Sequence, residues 1–211
     1  MKTLVQCDFD GTVTDQDISF LLLDAFVDGD WRGLLRQYQE GTMTVGHFNT
    51  AAFAMMKADK KTLLEYIKDK IEVRSGFREL VDYCRRRGFR FVIVSNGQDF
   101  YIENILGGIG VGDIEFFSAK SLFHSDGVTV QYIGPDGSPR ESDFKETYVR
   151  LFLADGYRII YIGNGDSDVL PAKQCHHIFA TGALLSHCKQ NNITCTPFTD
   201  FDDVFRGIER L

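Results

Sequence analysis

The sequence predicts an α/β fold: a parallel sheet with helices on both faces, an all-helical insertion after the first strand, and a small β-hairpin further on. Three observations lead there. Short, mostly apolar runs such as "FRFVIVS" and "YRIIYIG" lack polar alternation, as strands covered on both faces do. Stretches of helical spacing separate them, and strand alternating with helix makes a parallel sheet. From Asp17 to about residue 70 only helical spacing occurs, which sets that block apart as an insertion.

Taken in order, residues 3–8 form the first strand. "DISFLLLDAFV", "WRGLLRQYQ", "TVGHFNTAAFAMMK" and "KKTLLEYIKDKI" follow as four helices, broken at "DGD" and "EGT". A helix over "GFRELVDYCRRR" leads to a strand at 89–95, then a helix near "DFYIENIL" and a strand near "IEFFSA". In "SLFHSDGVTVQYI", Asp126–Gly127 is flanked by apolar and β-branched residues, a hairpin signal. After the loop "GPDGSP" come helix "FKETYVRLFLA", strand "YRIIYIG", a helix near "DVLPAKQC", the short strand "IFA", helix "ALLSHCKQN" and a last helix near "FDDVFRGIERL". Residues 1–14 and 75–211 therefore make the core, and 15–74 a helical cap.

A chain of 211 residues can bury a full core, and 44% apolar with 25% charged residues is ordinary globular composition. A net charge of −7 disfavours nucleic acid as a partner while leaving room for a small anion at a local positive site. No apolar run reaches the length of a membrane span, and the N-terminus lacks a signal-peptide layout, so a cytoplasmic protein is expected. Five cysteines, widely spaced and without a CxxC, read as reduced thiols. The cluster Cys175–His177, His187, Cys188 and Cys195 lacks the tight pairing of zinc ligands and reads as structural.

The first strand ends in "CDFDGTVT", with Asp8 and Asp10 two residues apart and so able to face one site. Two close carboxylates repel unless they share a proton or a cation, and a hard divalent ion such as Mg²⁺ suits them. Gly11 and Thr12 just beyond offer backbone N–H groups to an anion. Two further strands also end in polar residues, "VIVSNG" and "YIGNGDSD", at the edge where ligands of open α/β sheets bind.

"DFDGTVT" resembles the first motif of the haloacid dehalogenase superfamily, specifically its phosphatases. "VIVSN" ending at Ser95, Lys145 in "DFKETY", and "IGNGDSD" are similar to the second, third and fourth. The resemblance covers nearly the whole chain and implies a Rossmann-like core, with a cap placed as in phosphoserine phosphatases. "RSGFRELVDY", "VSNGQDFY" and "IGNGDSDVLPAKQC" are most similar to the branch of 2-hydroxy-3-keto-5-methylthiopentenyl-1-phosphate phosphatase, and also resemble that of the phosphocholine/phosphoethanolamine phosphatases.

The resemblance implies an Mg²⁺-dependent phosphomonoesterase acting on a small phosphorylated metabolite. Asp8 would be the nucleophile that forms an aspartyl-phosphate, and Asp10 the acid–base residue. Ser95, Asn96 and Lys145 would bind the phosphoryl group, and Asp8, the Asp10 carbonyl, Asn164 and Asp168 would serve the metal. Asn164 departs from the family pattern, which has Asp there; its amide oxygen can coordinate but brings no charge. That departure keeps open an alternative, a module that binds a phosphorylated ligand or a phosphotransferase with an impaired metal site. Asp166 reads as a helix cap, with compensation for Asn164 as the other reading. For substrate recognition Asp17 and Arg74 are candidates: Asp17 either meets an amine or caps the first cap helix, and Arg74 either meets an anionic group or is a solvated hinge charge. Among the cap residues Trp31, Tyr38, Phe48, Phe53, Met55 and Met56, most read as cap core and one or two as pocket lining.

Overall fold

The computed structural model describes residues 2–211. Strand β1 (Lys2–Cys7) is central, and the sheet runs β4-β3-β2-β1-β5-β6-β7, with β2 at Arg90–Gln98, β3 at Glu115–Phe123, β4 at Val128–Gln131, β5 at Tyr157–Gly163, β6 at His177–Ala180 and β7 at Thr196–Pro197. All neighbours pair in parallel except β3 and β4, the hairpin. Both faces of β1 are covered, so Leu4, Val5 and Cys7 are fully buried, which is why the strand reads as an unbroken apolar run.

Four short helices separate β1 from the rest of the sheet: α1 (Ile18–Phe26), α2 (Trp31–Gln39), α3 (Val45–Phe53) and α4 (Lys60–Ile67). Helices this short are marginal alone, so their ends matter. Each has a side-chain cap: Asp17 accepts from Phe20 N (2.9 Å), Asp30 from Gly33 N (2.8 Å), Thr44 from His47 N (3.2 Å) and Asp59 from Thr62 N (2.7 Å). Trp31, Phe48, Phe53, Met56, Leu63 and Ile67 fill the space between them. The chain leaves and re-enters the core side by side, through an antiparallel bridge between Thr14 and Val73.

The remaining helices are α5 (Phe77–Arg87), α6 (Asp99–Gly108), α7 (Phe144–Ala154), α8 (Val169–Ala172), α9 (Gly182–Gln190) and α10 (Phe201–Ile208). Four details differ from the sequence reading. Strand β2 continues past Ser95 to Gln98, with its register against β3 broken between Val94 and Gln98. The strand near "IEFFSA" and the first arm of the hairpin are one element, β3. The helix at "DVLPAKQC" is only α8 behind a 3₁₀ turn (Asp166–Asp168), because the chain must reach His176 N→Ile159 O (2.9 Å) and enter β6. Strand β7, two residues long, is too short to show a period.

The hairpin and the loop after it hold α3. Gly46 N donates to Glu141 O (3.0 Å), and Thr50 Oγ1 donates to Val130 O (3.4 Å). A Cβ at Gly46 would lie 2.5 Å from the Glu141 carbonyl oxygen. Gly46→Ala sets a helix-propensity gain of about 1 kcal/mol against an overpacking cost of about 1–3 kcal/mol. The clash is with backbone, which cannot swing aside, so we expect a net loss and a lower urea midpoint at unchanged slope. An equal or higher midpoint would mean that α3 does not seat on this loop in solution.

Candidate active site

Asp8 follows the end of β1, Ser95 lies in β2 and Asn164 follows β5, so three adjacent parallel strands deliver polar groups to one edge of the sheet. They line a cavity of about 280 Å³, together with Asp10, Asn96 and Lys145 from the core and Asp17, Phe20, Tyr38, Phe48 and Asn49 from the helical insertion. Trp31, Phe53 and Met56 stay in the core beneath.

Lys145, in the first turn of α7, is 2% exposed. Its Nζ lies 2.8 Å from Asp8 Oδ1 and 2.7 Å from Asp168 Oδ1, an ammonium held between two buried carboxylates. Burial alone would lower its pKa, but Asp168 and Asp8 outweigh burial and keep it charged. Asp168 is fully buried and four donors meet it: Lys145 and Tyr161 OH (2.7 Å) on Oδ1, Asn164 N (2.9 Å) and Gly165 N (2.8 Å) on Oδ2. Burial pushes its carboxyl up, but Lys145 and these N–H groups win and hold it below the usual range. Asp8 has fewer donors. Burial and the Asp168 charge raise it, Lys145 only partly offsets them, and it sits at about 7.

Among the described residues no cation pairs with Asp10. Its Oδ1 accepts from Ile18 N (3.1 Å) in the first turn of α1, and its Oδ2 from Tyr101 OH (2.5 Å) on α6. Burial and the nearby Asp17 charge raise its pKa well above the carboxylate norm. Gly97 passes so close to Oδ2 that any Cβ there would collide with it. The two acids thus occupy one cavity in different electrical environments, the arrangement in which one carboxyl carries charge while the other carries a proton.

On β2, Ser95 Oγ accepts from Gly97 N (3.0 Å), which leaves its own hydrogen free to donate into the cavity. The Asn96 carbonyl is held by Tyr132 OH (2.6 Å), and Asn49 Nδ2 meets both Tyr132 OH (2.6 Å) and that carbonyl (3.3 Å). Asn96 Oδ1 is buried without a partner at the cavity wall. A buried orphan of this kind fits a site completed by a ligand.

Among the described residues no three His, Cys, Asp or Glu side chains group as a metal site. The oxygens on offer are the Asp8 carboxylate, the Asp10 carbonyl and Asn164 Oδ1, and Asn164 Oδ1 already accepts from Thr12 Oγ1 (2.8 Å). An all-oxygen set of few protein ligands fits a small hard cation, though with one formal charge among them. Asp168, expected with them, is not on the cavity wall; its oxygens are taken up by the four donors above. Asp17 lines the cavity and also caps α1. Asp166 reaches the cavity edge at the start of the 3₁₀ turn, without a side-chain cap bond. Arg74 is elsewhere: its guanidinium donates to Gly11 O (3.1 Å) and Thr199 O (3.1 Å), so it ties the hinge to the core.

Sequence reasoning missed Tyr101, Ser19, Asn49, Tyr132 and Thr12. Only Thr12 carried a local signal, as the residue after "DFDG", and it was read for its backbone rather than its hydroxyl. The histidine and cysteine cluster serves structure: His177 Nε2 meets Thr196 Oγ1 at 2.9 Å, and Cys175 Sγ donates to Pro171 O at 3.3 Å.

Fold and site together define an α/β protein of the parallel-sheet class with paired acids at the carboxyl edge of the sheet. The chain belongs to the haloacid dehalogenase-like hydrolases, whose family model matches residues 5–172. Similar proteins include the 2-hydroxy-3-keto-5-methylthiopentenyl-1-phosphate phosphatase of Brevibacillus brevis, 25% identical over 100% of this chain and 96% of that one. The enzyme of the same name from Geobacillus thermodenitrificans is 29% identical over 97% and 94%. Among solved structures, a phospho-aspartyl intermediate analogue of phosphoserine phosphatase superposes with a TM-score of 0.72 at 18% identity, covering 97% of this chain and 98% of its own. A substrate-bound phosphoserine phosphatase complex gives 0.70 at 16% identity, covering 98% of each. These two support the fold.

Removing the ammonium isolates the triad's energetics. Lys145→Met strands two carboxylates in a dry site, and we expect a loss of about 3–5 kcal/mol at pH 7. The deprived carboxyls then have raised folded-state pKa values, so they are neutral in the folded protein at low pH and the penalty appears as pH rises. Urea unfolding at pH 5 and pH 7 should therefore show a smaller difference from wild type at pH 5. An equal difference at both would mean that the lysine's charge is not what the site needs.

Proposed function

We propose that the protein hydrolyses the phosphate monoester of a small metabolite through a phospho-aspartate on Asp8, with Mg²⁺ as the cofactor. The observation that carries this is the electrical split between the two acids: Asp8 lies 2.8 Å from the Lys145 ammonium, while Asp10 is buried without a cation among the described residues and pushed toward its protonated form. A phosphomonoesterase of this type needs one carboxylate to attack and one carboxylic acid to protonate what leaves.

In the first step a carboxylate oxygen of Asp8 bonds to phosphorus. The ester P–O bond breaks with its electron pair on the leaving oxygen, which takes the proton from Asp10. In the second step Asp10 accepts a proton from water as that water attacks phosphorus, the Asp8–phosphorus bond breaks, and inorganic phosphate leaves. Ser95, its hydrogen free because Gly97 N–H occupies its lone pair, donates to a phosphoryl oxygen. Lys145 balances the charge of Asp8 and phosphate from within a dry wall, where a fixed ammonium is strongest. Asp8, the Asp10 carbonyl and Asn164 would hold Mg²⁺, which supplies Lewis-acid stabilisation of phosphoryl charge when bound.

A cavity of about 280 Å³ suits a small ester, and Phe20, Leu35 and Phe48 in its lining suit an organic group with some apolar surface. The similarity to the methylthiopentenyl-phosphate phosphatases supports such a substrate. The neutral Asn164 favours one second reading, a module that binds a phosphorylated ligand with little turnover.

Phosphate release from p-nitrophenyl phosphate and small metabolite esters, with and without Mg²⁺, separates the readings. We expect metal-dependent turnover, and a loss of about a thousandfold or more in Asp8→Asn, since the variant removes the nucleophile itself. Folded protein without turnover at any Mg²⁺ level would overturn the reading in favour of the binding module. A second expectation concerns Asn164→Asp: one added ligand charge should lower the Mg²⁺ concentration for half-maximal activity by about tenfold. An unchanged requirement would remove Asn164 from the metal site.

A further inference from the structure

Tyr101 is fully buried on α6, among rings that include Phe9 and Phe100. For packing alone a phenylalanine would serve, because a hydroxyl without a partner in a dry site costs about 1–3 kcal/mol. The hydroxyl has two partners, and both line the catalytic cavity: Asp10 Oδ2 at 2.5 Å and Ser19 Oγ at 2.9 Å. Asp10 Oδ1 meets a different kind of group, the Ile18 N–H at 3.1 Å. An N–H can only donate, whereas the hydroxyl beside Oδ2 can donate or accept, so Oδ2 is the oxygen whose neighbour can adapt to a transferable proton. Tyr101 touches the oxygen that changes.

We infer that Tyr101, backed by Ser19, is a positioning residue that holds Asp10 Oδ2 in both of its proton states. This rests on the phosphomonoesterase reading above. While Oδ2 carries the proton, the tyrosine hydroxyl turns its hydrogen to Ser19 and places no competing donor on the acid. Once the proton has passed to the leaving oxygen, the hydroxyl turns to donate to Oδ2, and Ser19 donates to the tyrosine in its place. Only hydroxyl hydrogens rotate; no heavy atom moves. Hydroxyls are the side chains able to reverse roles in this way, whereas an amide or a cation in the same place would favour one state. Ser19 is in the first turn of α1, as is Ile18, so the acid is held jointly by the helical insertion and by α6 of the core.

The test compares leaving groups. p-Nitrophenolate leaves as a stable anion and needs no proton, whereas an alkoxide does, so a defect confined to proton donation falls mainly on alkyl esters. For wild type, Tyr101→Phe and Ser19→Ala, kcat/KM would be measured with p-nitrophenyl phosphate and with a simple alkyl phosphate. We expect the ratio of the first to the second to rise by about tenfold or more in Tyr101→Phe, within the range that general acids contribute, and to rise less in Ser19→Ala. In an Asp10→Asn background, Tyr101→Phe should leave the ratio where Asp10→Asn alone puts it, because the two changes act through one proton. A fall of equal proportion on both substrates, or a ratio shift that persists in Asp10→Asn, would overturn the inference and leave Tyr101 as core packing. If Tyr101→Phe does not fold, Ser19→Ala decides by the same ratio. Wild type inactive on both esters would instead refute the phosphomonoesterase reading itself.

Discussion

The buried ammonium of Lys145 is the constraint on which the site depends. Asp8, after β1, and Asp168, in the turn after β5, are buried carboxylates that repel each other, and a cation between them is what favours their ionised forms. Lys145 supplies it from α7, at 2.8 Å from Asp8 and 2.7 Å from Asp168. Such a triad is a poor source of net stability, since desolvation offsets much of the Coulomb gain, but it is demanding about geometry. It fixes α7 against the ends of β1 and β5. Asp168, with its oxygens bonded to Tyr161 and to the Asn164 and Gly165 amides, anchors the lysine and also shapes the turn that presents Asn164. The phosphate end of the cavity is thus built as one electrostatic unit.

The other end is built from hydrogen bonds and belongs to two layers. Asp10 hangs between Ile18 N of α1 and Tyr101 of α6, and the Asn96 carbonyl is held by Asn49 of α3 and Tyr132 after the hairpin. Each wall therefore joins a group of the helical insertion to a group of the sheet layer. The hairpin's role follows: it carries Tyr132 toward the cavity and supports α3 through Val130. An insertion tied down at Thr14, at Gly46 and at Arg74 delivers side chains to the acid with the precision of a core element.

How much of this could be read from sequence depended on how local the signal was. Asp8 and Asp10 were legible because a strand that ends in alternate acids announces its own geometry. The four inserted helices were legible from their period and from the breaks at "DGD" and "EGT", and β1, β2 and β5 from their unbroken apolar runs. Tyr101 was not, since a tyrosine in an otherwise apolar helix gives no sign of where its hydroxyl points. Nor was the fate of Arg74: a charge at the hinge leaves a ligand contact and a solvated position both open, but main-chain carbonyls from two distant turns absorb it. Asp168 could be matched by motif, yet its complete use by four donors arises only when β5, the 3₁₀ turn and α7 meet. What sequence hides here is the direction of polar side chains across long separations.

That distinction bears on Asn164, a position where the resemblance to the family's fourth motif leads one to expect an aspartate. With Lys145 charged, Asp8 and Asp168 leave the phosphate end a single net negative charge, and Asp10 adds none while it holds its proton. An aspartate at 164 would deepen the negative field and attract a cation, but it would also repel the phosphate dianion that must enter beside it. An asparagine keeps the oxygen and gives up that charge, and Thr12 Oγ1 at 2.8 Å fixes which way the amide faces, so the oxygen stays at its post. A Cβ at Gly11 would collide with the same amide nitrogen, so the asparagine fits there because position 11 is glycine. A hydrogen bond that fixes a neutral oxygen, in the space that the glycine at position 11 leaves open, weighs against reading Asn164 as simple decay of a metal site.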